Sequence, residues 1–181
     1  MRGAADTSRA KGAARTPAPA LLRTCLEATI ERRVGEAARD LGDLRGIGVG
    51  LPGPVEHVTG RAVNPPIMPG WNHYPVSERL SQHFGVPTLV DNDVNIMAVG
   101  EHWSTWRHEA FLLFVKMGTG IGAGIVAGGH VHRGADGAAG DIGHIRVAAD
   151  GAEEIICNCG NVGCLEALAG GAAMARRLTQ A

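Results

Sequence analysis

The sequence predicts an α/β layered fold, and three observations carry that prediction. Strand-like and helix-like stretches alternate along the chain, the pattern of domains in which helices pack on sheets. Apolar residues fill 45% of the 181 positions while aromatics fill only 4%, so Val, Ile, Leu and Ala must build the core. Glycine occurs 27 times, which favours tight turns and close backbone approaches over a bundle of long helices. The length suits one domain with a sizeable core. The formal net charge is −1 and no basic stripe stands out in the folded part, which argues against direct contact with nucleic acid. A membrane span needs about 18 uninterrupted apolar residues. The nearest stretch, "FLLFVKMGTGIGAGIVAGG", is broken by Lys116 and a run of glycines. Together these features describe a soluble, cytoplasmic protein acting on something small.

Taken in order, residues 1–20 are rich in Ala and Arg and read as a disordered or mis-started tail rather than a transit peptide. From Pro19 to about Leu41, Leu22, Leu26, Ile30, Val34, Ala37 and Leu41 recur at helical spacing, with Glu31, Arg32 and Arg39 on the other face. "RGIGVGLPGPV" is a short apolar strand ending in a Gly-Pro turn, and the prolines of "NPPIMPGW" keep that loop irregular. "PVSERLSQHFG" reads as a helix closed by Gly85. "VPTLVDNDVNIMAVGEHW" reads as strand, turn, then helix from about Val94. "FLLFVKMGTGIGAGIVAGGHVHRG" gives two strands around a glycine turn, followed by a hairpin, and "CLEALAGGAAMARRL" gives one closing helix. No repeat at solenoid period is present.

The densest chemistry lies in "CNCGNVGCLE", residues 157–166. A disulfide framework calls for an oxidising compartment, and no signal peptide is visible. A redox pair prefers C-x-x-C, whereas the close pair here is C-x-C. Cys157, Cys159 and Cys164 offer three soft thiolates on a glycine-rich loop that can bend around one ion. Structural zinc is tetrahedral with every position filled by protein. His144 in "GDIGHIRV", thirteen residues before Cys157, supplies the fourth ligand. The expectation is a Cys3His zinc site. Cys25 lies on an apolar helix face and reads as a buried thiol.

Two other stretches admit two readings each. "VDNDVN" puts Asp91, Asn92, Asp93 and Asn95 where a strand ends and a helix begins, the place where open α/β sheets bind ligands. Asp93 suits a general base that takes a proton from an alcohol; equally, Asn92 or Asp93 suits a helix cap. "KMGTGIGAGIV" has the glycines and threonine to wrap backbone N–H groups around an anion, and also reads as a β-turn between core strands. "GVGLPG" at 48–53 fits G-x-G-x-x-G, but Pro52 and Pro54 forbid the helix that a dinucleotide site needs. Trp71, His130 and His132 read as surface residues on loops and hairpins.

In order along the chain, "GIGVGLPGPV", "NPPIMPGW", "DNDVN…GEHW", "GTGIGAGI", "GAAGDIGH" and "CNCGNVGCLE" resemble the ROK family of sugar kinases and sugar-responsive transcriptional repressors. The resemblance implies an actin-like, hexokinase-like (ribonuclease H-like) fold with a sugar pocket between two lobes and a structural zinc loop. It implies that Asn92 and Asp93 grip sugar hydroxyls, with Asp93 as base in kinase members, and that Gly53 presents backbone to the sugar. His144 would bind zinc through one ring nitrogen and face the sugar with the other. Glu166 would accept sugar hydroxyl hydrogen bonds, and Asp141 stands where kinase members commonly carry Glu. Gly118, Thr119 and Gly120 would form the second phosphate-contacting turn, and possession of the kinase activity would require Mg-ATP. Residues 21–181 thus read as a partial ROK domain. The D-x-G-G-T-like phosphate loop of kinase members is not found upstream of residue 45, and the C-terminal helices of the nucleotide side are not seen. "LPGPV", "NDVNIMAVGEH" and "GAAGDIGH" look closer to the repressor branch, whose winged helix-turn-helix this chain lacks. The expected function is a hexose- or N-acetylhexosamine-sensing domain of a regulator, self-associating as a homodimer or higher homo-oligomer; the alternative is an ATP-dependent, glucokinase-like sugar kinase.

Overall fold

The computed structural model describes residues 19–36, 44–68, 70–147 and 155–180. The expected tail is outside these residues up to position 18, as are Ala37 and Leu41 of the first predicted helix. That helix, α1, runs Pro19–Glu36, with proline at its first position, where a missing N–H costs nothing. Cys25 on this helix is exposed, not buried as the apolar spacing suggests.

A parallel pair follows. Strand β1 (Ile47–Leu51) lies beside β4 (Thr88–Asn92), with Ile47 opposite Thr88 and Leu51 opposite Asn92. Between them come the short antiparallel pair β2 (Val55–Glu56) and β3 (Arg61–Ala62) and helix α2 (Val76–Phe84). Gly85 ends α2 in the left-handed conformation, φ 68°, and its N–H donates to the Ser81 carbonyl at 2.9 Å, the glycine closure the sequence predicts. The core around this pair is Leu51, Val55, Ala62, Met68, Trp71, Val76, Leu80 and Val90. Trp71 is therefore a core residue, 3% exposed and edge-on to Tyr74 at 5.0 Å. The surface reading of Trp71 is wrong because a proline-rich loop carries no periodicity to reveal which residues turn inward; His130 and His132 are exposed as expected.

The second sheet is antiparallel in the order β5 (Phe111–Met117), β6 (Ile121–Ala127), β7 (His130–Val131). Helix α3 (Asp93–Ser104) leaves β4 and packs across this sheet. The glycines of β6 make that possible. A Cβ at Gly124 would stand 2.5 Å from the Ala98 Cβ of α3, so any side chain there would push the helix off the sheet. Register then fixes the neighbours. Gly122 pairs with Lys116 and Gly124 with Phe114, and directly opposed residues share a face. Lys116 thereby lies on the α3 side of the sheet, while Phe111, Leu113, Val115 and Met117 are exposed on the other.

The chain closes with a 3-10 turn at Ile142–His144, then α4 (Leu165–Ala169) and α5 (Gly171–Gln180). The single closing helix expected from sequence is thus two. The break falls at Gly170, where the Gly171 N–H leaves the helical path to donate to the Gly118 carbonyl at 2.8 Å. No helix among the described residues is long and apolar enough to cross a membrane.

Candidate functional site

The site grows from the corner where β4 becomes α3. Asn92 caps the helix: its Oδ1 accepts the Val94 N–H at 2.9 Å and the Asn95 N–H at 3.2 Å. Its Nδ2 donates to the Gly53 carbonyl at 2.9 Å. The capping role of Asn92 is therefore real, and it brings Gly53, Asn92 and Asp93 to one wall of a cavity of about 470 Å³. Asp93 opens α3 with its carboxylate toward that cavity, where Lys116 Nζ donates to Asp93 Oδ2 at 2.6 Å.

The opposite wall comes from the β5–β6 turn, the 137–144 segment and Glu166. Gly118, Thr119 and Gly120 form that turn, closed by the Gly118 N–H donating to the Gly120 carbonyl at 2.9 Å. A Cβ at Gly120 would collide with Glu166 Oε2, so glycine there lets the carboxylate lie against the turn. Glu166 Oε2 also accepts the Ile121 N–H at 3.0 Å. Asp141 and His144 face each other across one turn, Oδ1 to Nε2 3.9 Å. The Asp141 side chain keeps 38% exposure; even so, partial burial in the cleft wall raises its pKa, with the nearby Glu166 adding to the rise and His144 opposing it.

His144 belongs to two sites at once. Its Nε2 side faces Asp141 and the cavity, and its Nδ1 lies 3.6 Å from Cys157 Sγ. Cys159 and Cys164 have their sulfurs 3.7 Å apart, and all four donor atoms of His144, Cys157, Cys159 and Cys164 lie within 4.8 Å of one another. A tetrahedral ion with metal–sulfur bonds of ~2.3 Å and a metal–nitrogen bond of ~2.05 Å sets sulfurs ~3.8 Å apart and sulfur from nitrogen ~3.6 Å apart. The residues fit such an ion. The backbone supports the arrangement: Cys157 N–H donates to the Asn161 carbonyl at 2.8 Å, and Gly160 N–H to the Cys157 carbonyl at 2.9 Å. Burial raises the Cys157 thiol, with Cys164 opposing the rise, and pushes Cys164, fully buried, up to about 12, with the Cys157 and Cys159 thiols adding to it.

Every residue predicted for the sugar pocket or the phosphate turn lines this one cavity, and the four predicted metal ligands form one cluster beside it. Sequence reasoning missed Lys116, treating it only as an interruption of an apolar run. A lone cation at a half-buried position of a strand was the available signal. It also passed over Arg133, whose Nε and Nη2 donate to Asp91 Oδ2 at 2.9 and 2.7 Å.

The family model described as "ROK family" matches residues 4–181. A glucokinase of Halalkalibacterium halodurans is 40% identical over 165 residues, covering 89% of this chain and 48% of that protein. The xylose repressor of Caldicellulosiruptor bescii is 36% identical over 138 residues, covering 76% of this chain and 34% of that protein. The crystal structure of a ROK family glucokinase from Streptomyces griseus, in complex with glucose and AMPPNP, superposes with a TM-score of 0.74 at 32% identity, covering 91% of this chain and 51% of that one. The chain thus spans about half or less of the length of these relatives. Such neighbours have the actin-like, hexokinase-like α/β fold, and both kinases and repressors are among them. On the family match and the shared fold together, the chain belongs to the ROK family.

Proposed function

We propose that this chain is the sugar-binding domain of a transcriptional regulator that senses a hexose or N-acetylhexosamine. A sugar presents several hydroxyls that need matched donors and acceptors. Asn92, Asp93, Asp141, His144 and Glu166 supply them around a cavity in the size range of small-molecule sites. The observation that carries the sensing reading is the Lys116–Asp93 contact of 2.6 Å. A general base must offer a free lone pair to the hydroxyl it deprotonates. Here Lys116 takes Oδ2 of Asp93, which leaves only Oδ1 for a sugar hydroxyl and gives the carboxylate the part of a hydrogen-bonding anchor in this reading.

The metal in this reading is zinc, selected by three thiolates and an imidazole in closed tetrahedral geometry. When bound, it supplies no reaction chemistry; it ties the 157–164 loop to His144. His144 is thereby held with Nε2 toward the cavity, and Glu166, two residues beyond Cys164, arrives in register against the β5–β6 turn.

The second reading is an ATP-dependent sugar kinase with Asp93 as base and Gly118, Thr119 and Gly120 at the phosphates. It is favoured by the likeness to a glucokinase structure that holds glucose and AMPPNP. A coupled assay of ADP release from Mg-ATP, run with glucose, xylose, N-acetylglucosamine and N-acetylmannosamine, separates the two. The sensing reading expects no sugar-dependent release. Release that Asp93→Asn abolishes would establish the kinase instead.

A further inference from the structure

Asp91 is a charged residue placed out of solvent next to the ligand-facing pair, and it does not line the cavity. It is 8% exposed, and a buried carboxylate needs a counter-charge and filled lone pairs. Its Oδ2 receives both Arg133 Nε and Nη2, at 2.9 and 2.7 Å. Its Oδ1 accepts the Asn92 N–H at 2.8 Å and Asn95 Nδ2 at 3.0 Å. His57 Nδ1 stands farther off, 3.8 Å from Oδ2.

These contacts form one path between the two sheets. Arg133 follows β7 of the antiparallel sheet, while Asp91 belongs to β4 of the parallel pair. From Asp91 the path runs to the Asn92 backbone and the Asn95 side chain, and from the Asn92 side chain to the α3 N-terminus and the Gly53 carbonyl. Two donors of the guanidinium converge on the single oxygen Oδ2, while Oδ1 is left to Asn92 and Asn95, so the two carboxylate oxygens have separate partners.

We propose that Arg133 is a positioning residue for the Asn92–Asp93 pair. By holding Asp91 from the opposite sheet, it sets the direction in which the β4–α3 corner enters the cleft. The consequence for ligand affinity rests on the sugar-binding reading above; the positioning itself does not. Lys116 and Arg133 then play different parts on adjacent carboxylates. The Lys116–Asp93 contact lines the cavity, while the Arg133–Asp91 contact does not; there the Asp91 side chain is 12% exposed and that of Arg133 29%.

The test compares wild type, Arg133→Met, Arg133→Lys and the Asp91→Asn/Arg133→Met pair, all zinc-loaded. Two readouts are used: amide hydrogen exchange without ligand, and titration with glucose, xylose, N-acetylglucosamine and N-acetylmannosamine. Arg133→Met is expected to speed exchange at Asn92, Val94 and Asn95 about ten- to hundred-fold, with the amides of 157–164 unchanged. Affinity for the responding sugar is expected to fall by a similar factor. Arg133→Lys, which keeps the charge but not the fork, should lie between. Removing the stranded charge in the double variant should restore overall stability without restoring the slow exchange at 92–95. Should Arg133→Met fail to fold, the lysine and double variants carry the same comparison. Unchanged exchange at 92–95, or acceleration spread evenly over the chain, overturns the proposal. If wild type answers to none of the sugars while the exchange change stays confined to 92–95, the sugar reading fails and the positioning by Arg133 stands.

Discussion

Lys116 Nζ lies 2.6 Å from Asp93 Oδ2, joining the end of β5 to the first residue of α3 inside the cavity. Strand register explains the meeting. Lys116 is opposite Gly122, and a Cβ at Gly122 would stand 3.2 Å from Val94 in the first turn of α3. The glycine lets the helix start directly above the lysine. Both side chains keep solvent contact, 36% and 28% exposed, so solvent screens the pair and its net worth is small.

Replacing Lys116 by Met should therefore change unfolding free energy by less than about 1 kcal/mol. Urea denaturation checks this. A loss above about 2 kcal/mol would show that the pair holds the fold together rather than tuning the pocket.

Asn92→Ala removes the acceptor of the Val94 and Asn95 N–H groups. A lost N-cap costs about 1 kcal/mol, within a range of roughly 0.5 to 2, and the Gly53 carbonyl loses its donor as well. The expected loss is about 1–2 kcal/mol by urea denaturation, with Asn92→Asp keeping the cap and losing less. Equal losses in the two variants would place the effect elsewhere than the cap.

Metal removal should act regionally. The four donor atoms come from the 3-10 turn and the 157–164 loop, and binding energy at such a site is folding energy. Chelation should lower the melting temperature and speed amide exchange at 144–147 and 155–166, leaving α2 and its core protected. An unchanged melting temperature after complete zinc removal would contradict this.

The same site gives a pH dependence of definite sign. A metal binds thiolates, and burial raises Cys157 and pushes Cys164 up to about 12, so both are protonated thiols at pH 7 before the metal arrives. Zinc uptake at pH 7 must release about two protons from these two residues, and apparent zinc affinity should rise with pH. Calorimetry in buffers of different ionisation enthalpy counts the protons. Release of fewer than about two would mean that Cys157 and Cys164 do not both ligate.

Much of this was legible in the sequence where the signal is local. Three cysteines within eight positions and a nearby histidine have few chemical uses, so the cluster could be read without coordinates. The closure of α2 by Gly85 and the strand–helix corner at 91–95 were legible for the same reason: turn and cap chemistry acts over three or four residues. What escaped was long-range. Asp93 gave no hint of Lys116, nor Asp91 of Arg133, 42 positions away, because side-chain pairing across sheets leaves no spacing in the sequence. Trp71 escaped because a proline-rich loop has no period, and the break between α4 and α5 because a tertiary bond from Gly171 to Gly118 decides it.

Whether the cavity binds sugar is tested most directly by the melting temperature of the zinc-loaded chain with a panel of hexoses and N-acetylhexosamines, each with and without Mg-ATP. A ligand that binds the native state must stabilise it by mass action. A rise with one class of sugar that Mg-ATP leaves unchanged is expected. No rise with any sugar would contradict the sugar pocket, and a rise that grows with Mg-ATP would contradict the sensing reading in favour of the kinase.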